Sequence, residues 1–460
     1  MTKANRPQTN ERRRARAAHF VAALALVVVL SPSTLAQNIG DVSVQTMSGP
    51  QGTYVIRGAR VVTVSGAELS NASVVVRNGR IESVGENVNA PAGAQEIDGR
   101  GLFVYPGMID AATNMGLMEI SSVAATVDRA EVGEMNPNAR ALTAVNPHSA
   151  HVAVTRVAGI TSVVTMPQGG VISGQAAVIN LNGTTPGEMS VAPSAALVID
   201  FPRVAAGGGF FAQQAQAANI NEASATRDRQ VENLRRMLRD AEAYGRAHDA
   251  YTRDPRSVPR PDTDIILAAL VPFVRGERPV VFRAERERDI RAAVRFADEM
   301  KLKPVILGGN DAWKAADILK QRDVPVILTG LYTLPMREDD PYDTLYENAA
   351  QLHRAGVRFC ISTGDPGPEV RDLPFQAGMA AAFGLPRDAA IKAVTLYPAQ
   401  IFGVAGQMGS IEPGKLANLV VTDGDLLEAR TNIRHLFIEG RLIPLVSRHT
   451  ILYDQFKDRK

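Results

Sequence analysis

Hydrophobic and polar positions alternate at both ends of the chain and fall into unbroken apolar runs in its centre. Tyr54 to Val64 alternates apolar and polar residues and stops near Gly66. That period of two predicts a strand with one buried face. Ala72 to Arg77 is a second β-rich run, followed by Asn78-Gly79 and then by Arg80 to Val84. Asn-Gly tolerates positive φ at both positions, so the two runs read as a hairpin. Glu96 to Gly101 is a turn leading into Leu102. About fifty residues of strand are too few to bury a core alone. The complement lies at the far end: Gly409 to Lys415 is a turn-rich entry, Asn418 to Thr422 a strand, and Ile433 to Glu439 with Gly440-Arg441 a strand and turn. Residues 53–104 and 405–450 are expected to combine into one small β-sandwich domain, with everything between them inserted.

The central runs are Phe103 to Leu117, Gly159 to Met166, Ala177 to Leu181, Ala195 to Ile199, Pro279 to Arg283, Pro304 to Leu307, Pro325 to Thr329 and Val357 to Ser362. Their unbroken Val/Ile character predicts parallel strands covered on both faces. Helical periodicity separates several of them, over Arg288 to Met300, Asp311 to Gln321, Asp343 to Ala355 and Arg387 to Leu396. Strand and helix in alternation give the α/β class. Eight strand candidates fit a (β/α)8 TIM-like barrel over 105–404. An open doubly wound sheet is the alternative from the pattern alone. Residues 204–261 break the alternation with Gly207-Gly208-Gly209, an Ala/Gln run and a charged helix from Arg227 to about Ala247. This is expected to be a mobile, solvent-facing insertion, in the sharper reading a lid over the barrel mouth.

Composition narrows the function classes. Apolar residues make up 45% of the 460, enough for a real core, and aromatic residues only 5%, which argues against stacking on single-stranded nucleic acid. The net charge of +2 is unevenly spread: residues 1–36 hold six Lys/Arg and one Glu, so the remainder is mildly acidic. No nucleic-acid footprint is expected. Arg12, Arg13, Arg14 and Arg16 precede the apolar run Phe20 to Leu30, and Ser31 to Ala36 is a small-residue exit. This is the build of a signal peptide, 1–36, cleaved after Ala36 by the general secretory or the twin-arginine route. The apolar run would rise only about 16 Å as a helix, too short to span a bilayer. A secreted or periplasmic protein with no membrane span after the leader is the expectation. The single cysteine, Cys360, excludes an intrachain disulfide and a cysteine-based zinc site. In its Val-Arg-Phe-Cys-Ile-Ser run it reads as a small buried residue.

Five motifs follow one another along the chain: Gly58 to Val64, Asn78-Gly79-Arg80-Ile81, Pro106-Gly107-Met108-Ile109-Asp110, Thr395-Leu396-Tyr397-Pro398-Ala399 with Phe402-Gly403, and Gly409 to Lys415. The first two resemble the opening β-domain of the amidohydrolase superfamily, the third its first barrel strand, the fourth its last barrel helix and the fifth its return to the β-domain; the resemblance is nearest the imidazolonepropionase-like and exported branch. The resemblance implies hydrolysis of carbon–nitrogen bonds, with a divalent metal, often zinc, held by strand-end histidines and a strand-end aspartate taking a proton from bound water.

Here the implied ligand positions hold other residues. Ala112 and Asn114 stand where the first strand would offer its histidine pair, Arg283 stands at a later one, and Gly308-Gly309 follow Leu307 where another would be. Alanine has no donor, an amide suits zinc poorly, and a guanidinium repels a cation. No metal cofactor is therefore expected, although Asp110 and Asp365 leave a carboxylate site for magnesium or calcium as a second reading. His148 and His151, three apart at a helix start, are expected to face solvent rather than to be two ligands on one face. Asp365, in Ser362-Thr363-Gly364-Asp365-Pro366, matches the family aspartate. Asp365 and Arg283 are the expected catalytic residues, paired so that the guanidinium takes the metal's place. Asn114, Gly170, Ser173 and Asn310 are the expected substrate-binding residues, since loops past strand ends carry a barrel's ligands. The expected ligand is a small amide or peptide-like molecule, and the resemblance leaves room for a homo-oligomer or for pairing with an intact amidohydrolase. The readings are an exported hydrolase of non-peptide or dipeptide-like amides with a degraded metal site, and, as the alternative, a catalytically inactive, metal-free pseudoenzyme or binding subunit.

Overall fold

Two strand systems organise the protein, and the chain passes between them at Gly107. The computed structural model describes residues 48–204, 220–364 and 367–459; the expected leader and Asp365 lie outside them. The first system opens with β1 (Tyr54–Val61), β2 (Leu69–Arg77), β3 (Arg80–Gly85), β4 (Gln95–Asp98) and β5 (Phe103–Pro106). The β2–β3 hairpin turns on Asn78 (φ 51°) and Gly79 (φ 78°), the positive-φ pair that the Asn-Gly dipeptide predicts.

The stretch expected to be one interrupted barrel strand is two strands in two sheets. β5 joins the first sheet, and β6 (Met108–Thr113) opens the barrel. A Cβ on Gly107 would stand 2.1 Å from Thr161 Oγ1, so the crossing point has no room for a side chain.

The barrel continues with β7 (Ile160–Thr165), β8 (Ile172–Asn180), β9 (Ser190–Asp200), β10 (Val280–Ala284), β11 (Pro304–Gly308), β12 (Val326–Leu328) and β13 (Phe359–Ile361), which pair in unbroken sequence order from β6 to β13. All are parallel except β8, which runs antiparallel to both neighbours. The links 166–171 and 181–189 explain it: a parallel crossover needs about a dozen residues or more. The unbroken Val/Ile pattern is shared by buried strands of either direction, so the link lengths were the available signal.

Alternate side chains fill the interior: Val178, Val198, Val281, Val305, Leu307, Ile327 and Cys360 form one buried cluster. Burial holds the Cys360 thiol well above the ordinary cysteine range. The outer faces pack against helices that include α1 (Ala150–Arg156), α2 (Ile220–Arg253), α3 (Ile265–Val274), α4 (Glu287–Glu299), α5 (Thr344–Ala355), α6 (Leu373–Ala382) and α7 (Arg387–Ala393), while α8 (Leu396–Ile401) buries Ala399 and Ile401 in the interior cluster.

The insertion helix α2 is not wholly solvent-facing as expected. Leu234, Leu238 and Ala241 are fully buried, packed in the same cluster as Leu270 and Phe273 of α3. Three apolar positions at helical spacing are a sufficient stripe even among charges. No helix among the described residues is long and apolar enough to cross a membrane.

The chain returns to the first sheet with β14 (Leu419–Thr422), β15 (Ile433–Ile438) and β16 (Arg441–Ile443). β5 links the two ends: it pairs with β1 on one side and β14 on the other. Tyr54 and Phe437 meet edge to face, centroids 5.2 Å apart. A buried polar knot ties this sheet to the barrel. Asn418 Nδ2 donates to Asn180 Oδ1 at 2.9 Å and to Ser162 Oγ at 3.2 Å; the Glu439 N–H donates to Asn418 Oδ1 at 2.8 Å.

Candidate functional site

The carboxyl ends of the barrel strands meet around β6. Asp110, fully buried on that strand, accepts hydrogen bonds from the Ser362 hydroxyl and from Thr363 Oγ1 at 2.6 Å and Thr363 N at 3.3 Å. The Ala112 N–H adds another at 3.4 Å. Burial raises its carboxyl to about 6, and the donors from Ser362, Thr363 and Ala112 hold it from going higher. These bonds matter because β6 and β13 share no ladder; side chains close that seam.

Just beyond lies a cavity of about 30 Å³ lined by Ala112, Thr113, Asn114, Gln168, Arg283 and Thr329, with Met166, Leu307 and Gly364. Its size suits about two waters. The Asn114 amide donates to the Met166 carbonyl at 2.6 Å. The Arg283 guanidinium enters from β10, where its register partners are Asp200 on β9 and Leu307 on β11. Partners on adjacent strands leave the sheet on one face, here the interior.

Past Arg283, the half-buried Glu285 lays its carboxylate over Gly308. A Cβ there would come within 2.2 Å of Glu285 Oε1, and Gly308 has φ +105°. Asn310 N donates to Glu285 Oε2 at 3.4 Å. Burial raises this carboxyl, opposed by the Asn310 N–H and then by Arg283.

The structure thus brings Arg283 and Asn114 together at one cavity. Gly170, Ser173 and Asn310 are not among the residues that line it. Gly170 is exposed, with φ +67° and the Glu134 carbonyl 2.8 Å from where its Cβ would be. Ser173 is buried within β8. Asn310 sits past β11, its carbonyl accepting from Asn348 Nδ2 at 3.2 Å. Asp365 lies outside the described residues, and so does its expected pairing with Arg283. His148 is exposed, while His151 Nε2 bonds the Glu119 carbonyl at 3.1 Å. Sequence reasoning missed Glu285 and Asp200. The signal for both was position: Glu285 lies two residues beyond Arg283, and Asp200 follows directly on an apolar strand.

The described residues do not fit the divalent metal that the resemblance implies. The strand-end positions present a methyl group, an amide already bonded to backbone, a guanidinium and a glycine filled by Glu285. Among the described residues no three His, Cys, Asp or Glu side chains converge as a metal cage would require.

Comparison with known proteins agrees with the architecture. The amidohydrolase family model matches residues 242–443. The chain is 32% identical over 151 residues to the imidazolonepropionase of Rhizobium meliloti (strain 1021), covering 32% of this chain and 35% of that protein. It is 39% identical over 56 residues to the dihydroorotase of Geobacter metallireducens, covering 12% of this chain and 13% of that one. The chain therefore spans about a third or less of the length of these curated relatives. The solved amidohydrolase from Thermotoga maritima MSB8 superposes with a TM-score of 0.74 at 25% identity, covering 85% of this chain and 99% of its own. A near-closed eight-stranded barrel, an end-built sheet and these matches together make the chain a member of the amidohydrolase superfamily.

Proposed function

We propose that the barrel mouth takes a small amide or peptide-like ligand without a divalent-metal cage. The observation that supports this is Arg283, lining the same cavity as Ala112 and Asn114. A guanidinium is a permanent cation and a planar donor fork. At that position it opposes a metal ion but offers hydrogen bonds to a carbonyl oxygen, the polarising part of a metal's work. Membership of the superfamily, and likeness to a protein named imidazolonepropionase, favour an amide-type carbon–nitrogen bond as the group recognised. Asp365 follows Gly364, which lines the cavity, and serves in this reading as the proton acceptor. If Asp365 and Arg283 do not suffice for turnover, the same mouth makes the protein a binding member of the family. Elemental analysis of the purified protein, beside an amide and dipeptide hydrolysis screen with and without Zn²⁺ or Mn²⁺, tests this. Stoichiometric metal with metal-dependent turnover overturns it.

The leader supports export, with cleavage after Ala36. N-terminal sequencing of the protein recovered from a secreting host checks this: a chain beginning at Gln37 agrees, and one beginning at Met1 or Thr2 in the cytosol does not.

A further inference from the structure

A second cavity, of about 350 Å³ against about 30 Å³ at the mouth, opens at the amino end of β13 on the opposite face of the barrel. That volume lies within the range of small-molecule pockets. It sits between the carboxyl end of α5 and the helix α8. Val357, Phe359 and Ile401 are buried and give it apolar walls. The Phe359 and Tyr397 rings meet edge to face, centroids 6.1 Å apart at 71°, and present aromatic surface suited to a flat ring.

The polar lining consists of His353, Arg358, Tyr397 and Gln400, and no carboxylate lines the cavity. Arg358 is held by Asp323: Nε donates to Oδ1 and Nη2 to the carbonyl, each at 2.8 Å. This fixes the guanidinium and leaves Nη1 over. Among the described residues, neither Nη1 nor the side chains of His353, Tyr397 and Gln400 have a hydrogen-bond partner. All four residues supply donors. Gly356, the end of α5, also lines the cavity and brings the negative pole of that helix to it. Lys320 Nζ, 3.3 Å from where a Gly356 Cβ would stand, offsets that pole. Catalysis in such barrels belongs to the other face, so these donors are not spent on a reacting centre.

We infer that this cavity binds a small aromatic carboxylate, its ring against Phe359, Tyr397 and Ile401 and its carboxylate on Arg358 Nη1, with His353 and Gln400 as further donors. An ionised carboxylate only accepts hydrogen bonds, and a charged donor makes the strong ones. A cationic ring would meet Arg358 and Lys320 with no acid among the lining residues to receive it. The mouth cavity is far too small for such a molecule, so the two sites are separate.

The test uses para-benzoylbenzoate, an aromatic carboxylate that cross-links on illumination, and para-benzoylbenzyl-trimethylammonium, the same ring system with a cation. Calorimetric titration of the full chain is expected to give a Kd below about 1 mM for the carboxylate and binding at least about tenfold weaker for the cation. Peptide mapping after illumination is expected to place the label within 353–359 or 396–401. Arg358→Gln should narrow the ratio of the two probes to under about threefold. The two probes binding alike, no binding of the carboxylate by about 5 mM, or label confined to other segments overturns the site. Titration and mapping need only the unsubstituted chain, so the site stands or falls on them even if Arg358→Gln does not fold.

Discussion

Ser362, 252 residues further along the chain, donates its hydroxyl hydrogen to Asp110 across the junction of β6 and β13, two strands that share no ladder. The bond joins the first barrel strand to the segment that enters the mouth, and Thr363 repeats it with side chain and backbone.

This seam predicts a pH dependence with a definite sign. Asp110 titrates near 3.8 in a peptide and at about 6 when buried. Between those values the folded chain keeps a proton that the unfolded chain has lost. Stability therefore falls as pH rises through that window and is flat above it. The difference between those two values corresponds to roughly 3 kcal/mol. Asp110→Asn removes the titration. In urea unfolding, the advantage of the unsubstituted protein over Asp110→Asn should shrink by about that amount from pH 4 to pH 7. An advantage that grows with pH would show that the four donors, not burial, control the carboxyl.

Gly308→Ala should destabilise the protein by about 2–4 kcal/mol, from left-handed strain and from contact with Glu285. In a Glu285→Ala background the contact is gone and only strain remains. The cost should then fall by about 1 kcal/mol or more. Equal costs in the two backgrounds would mean that Glu285 does not occupy the Gly308 site.

The knot between barrel and end sheet makes a separate prediction. Asn418→Leu fills the volume but strands the Glu439 N–H and takes one donor each from Asn180 Oδ1 and Ser162 Oγ, which keep their bond to each other at 2.8 Å. Denaturant unfolding should show a loss of about 2–4 kcal/mol. A change under about 0.5 kcal/mol would place the coupling of the two sheets in their apolar contacts.

The sequence carried the strands more fully than their partners. Eight apolar runs and an Asn-Gly turn sit where the structure has strands and a hairpin, because burial on both faces and positive φ leave local marks. Strand direction was legible only from link length, and β8 runs against its neighbours for that reason. Arg283 and Asn114 could be placed at one mouth because strand ends and a period of two determine where side chains emerge. The Asp110–Ser362 bond could not be foreseen, since nothing local in either strand names the other. Gly308 reads as an empty strand end in sequence; only in three dimensions is it the space that Glu285 fills.

Refilling the positions should restore a cage. With Ala112→His, Asn114→His and Arg283→His combined, zinc should bind at about one ion per chain in chelator competition, since three imidazoles are a sufficient catalytic-type set. With only the first two changes, Arg283 remains and binding should be at least about a hundredfold weaker. Equal zinc affinity with and without Arg283 would show that the guanidinium does not occupy the mouth.

The most direct measurement is the metal content of the full chain purified without added metal, read beside amide and dipeptide hydrolysis with and without Zn²⁺ or Mn²⁺. A mouth built on Ala112, Asn114 and Arg283 predicts well under about 0.1 divalent ion per chain and no response of turnover to metal. About one ion per chain, with turnover that chelation abolishes and metal restores, would contradict it.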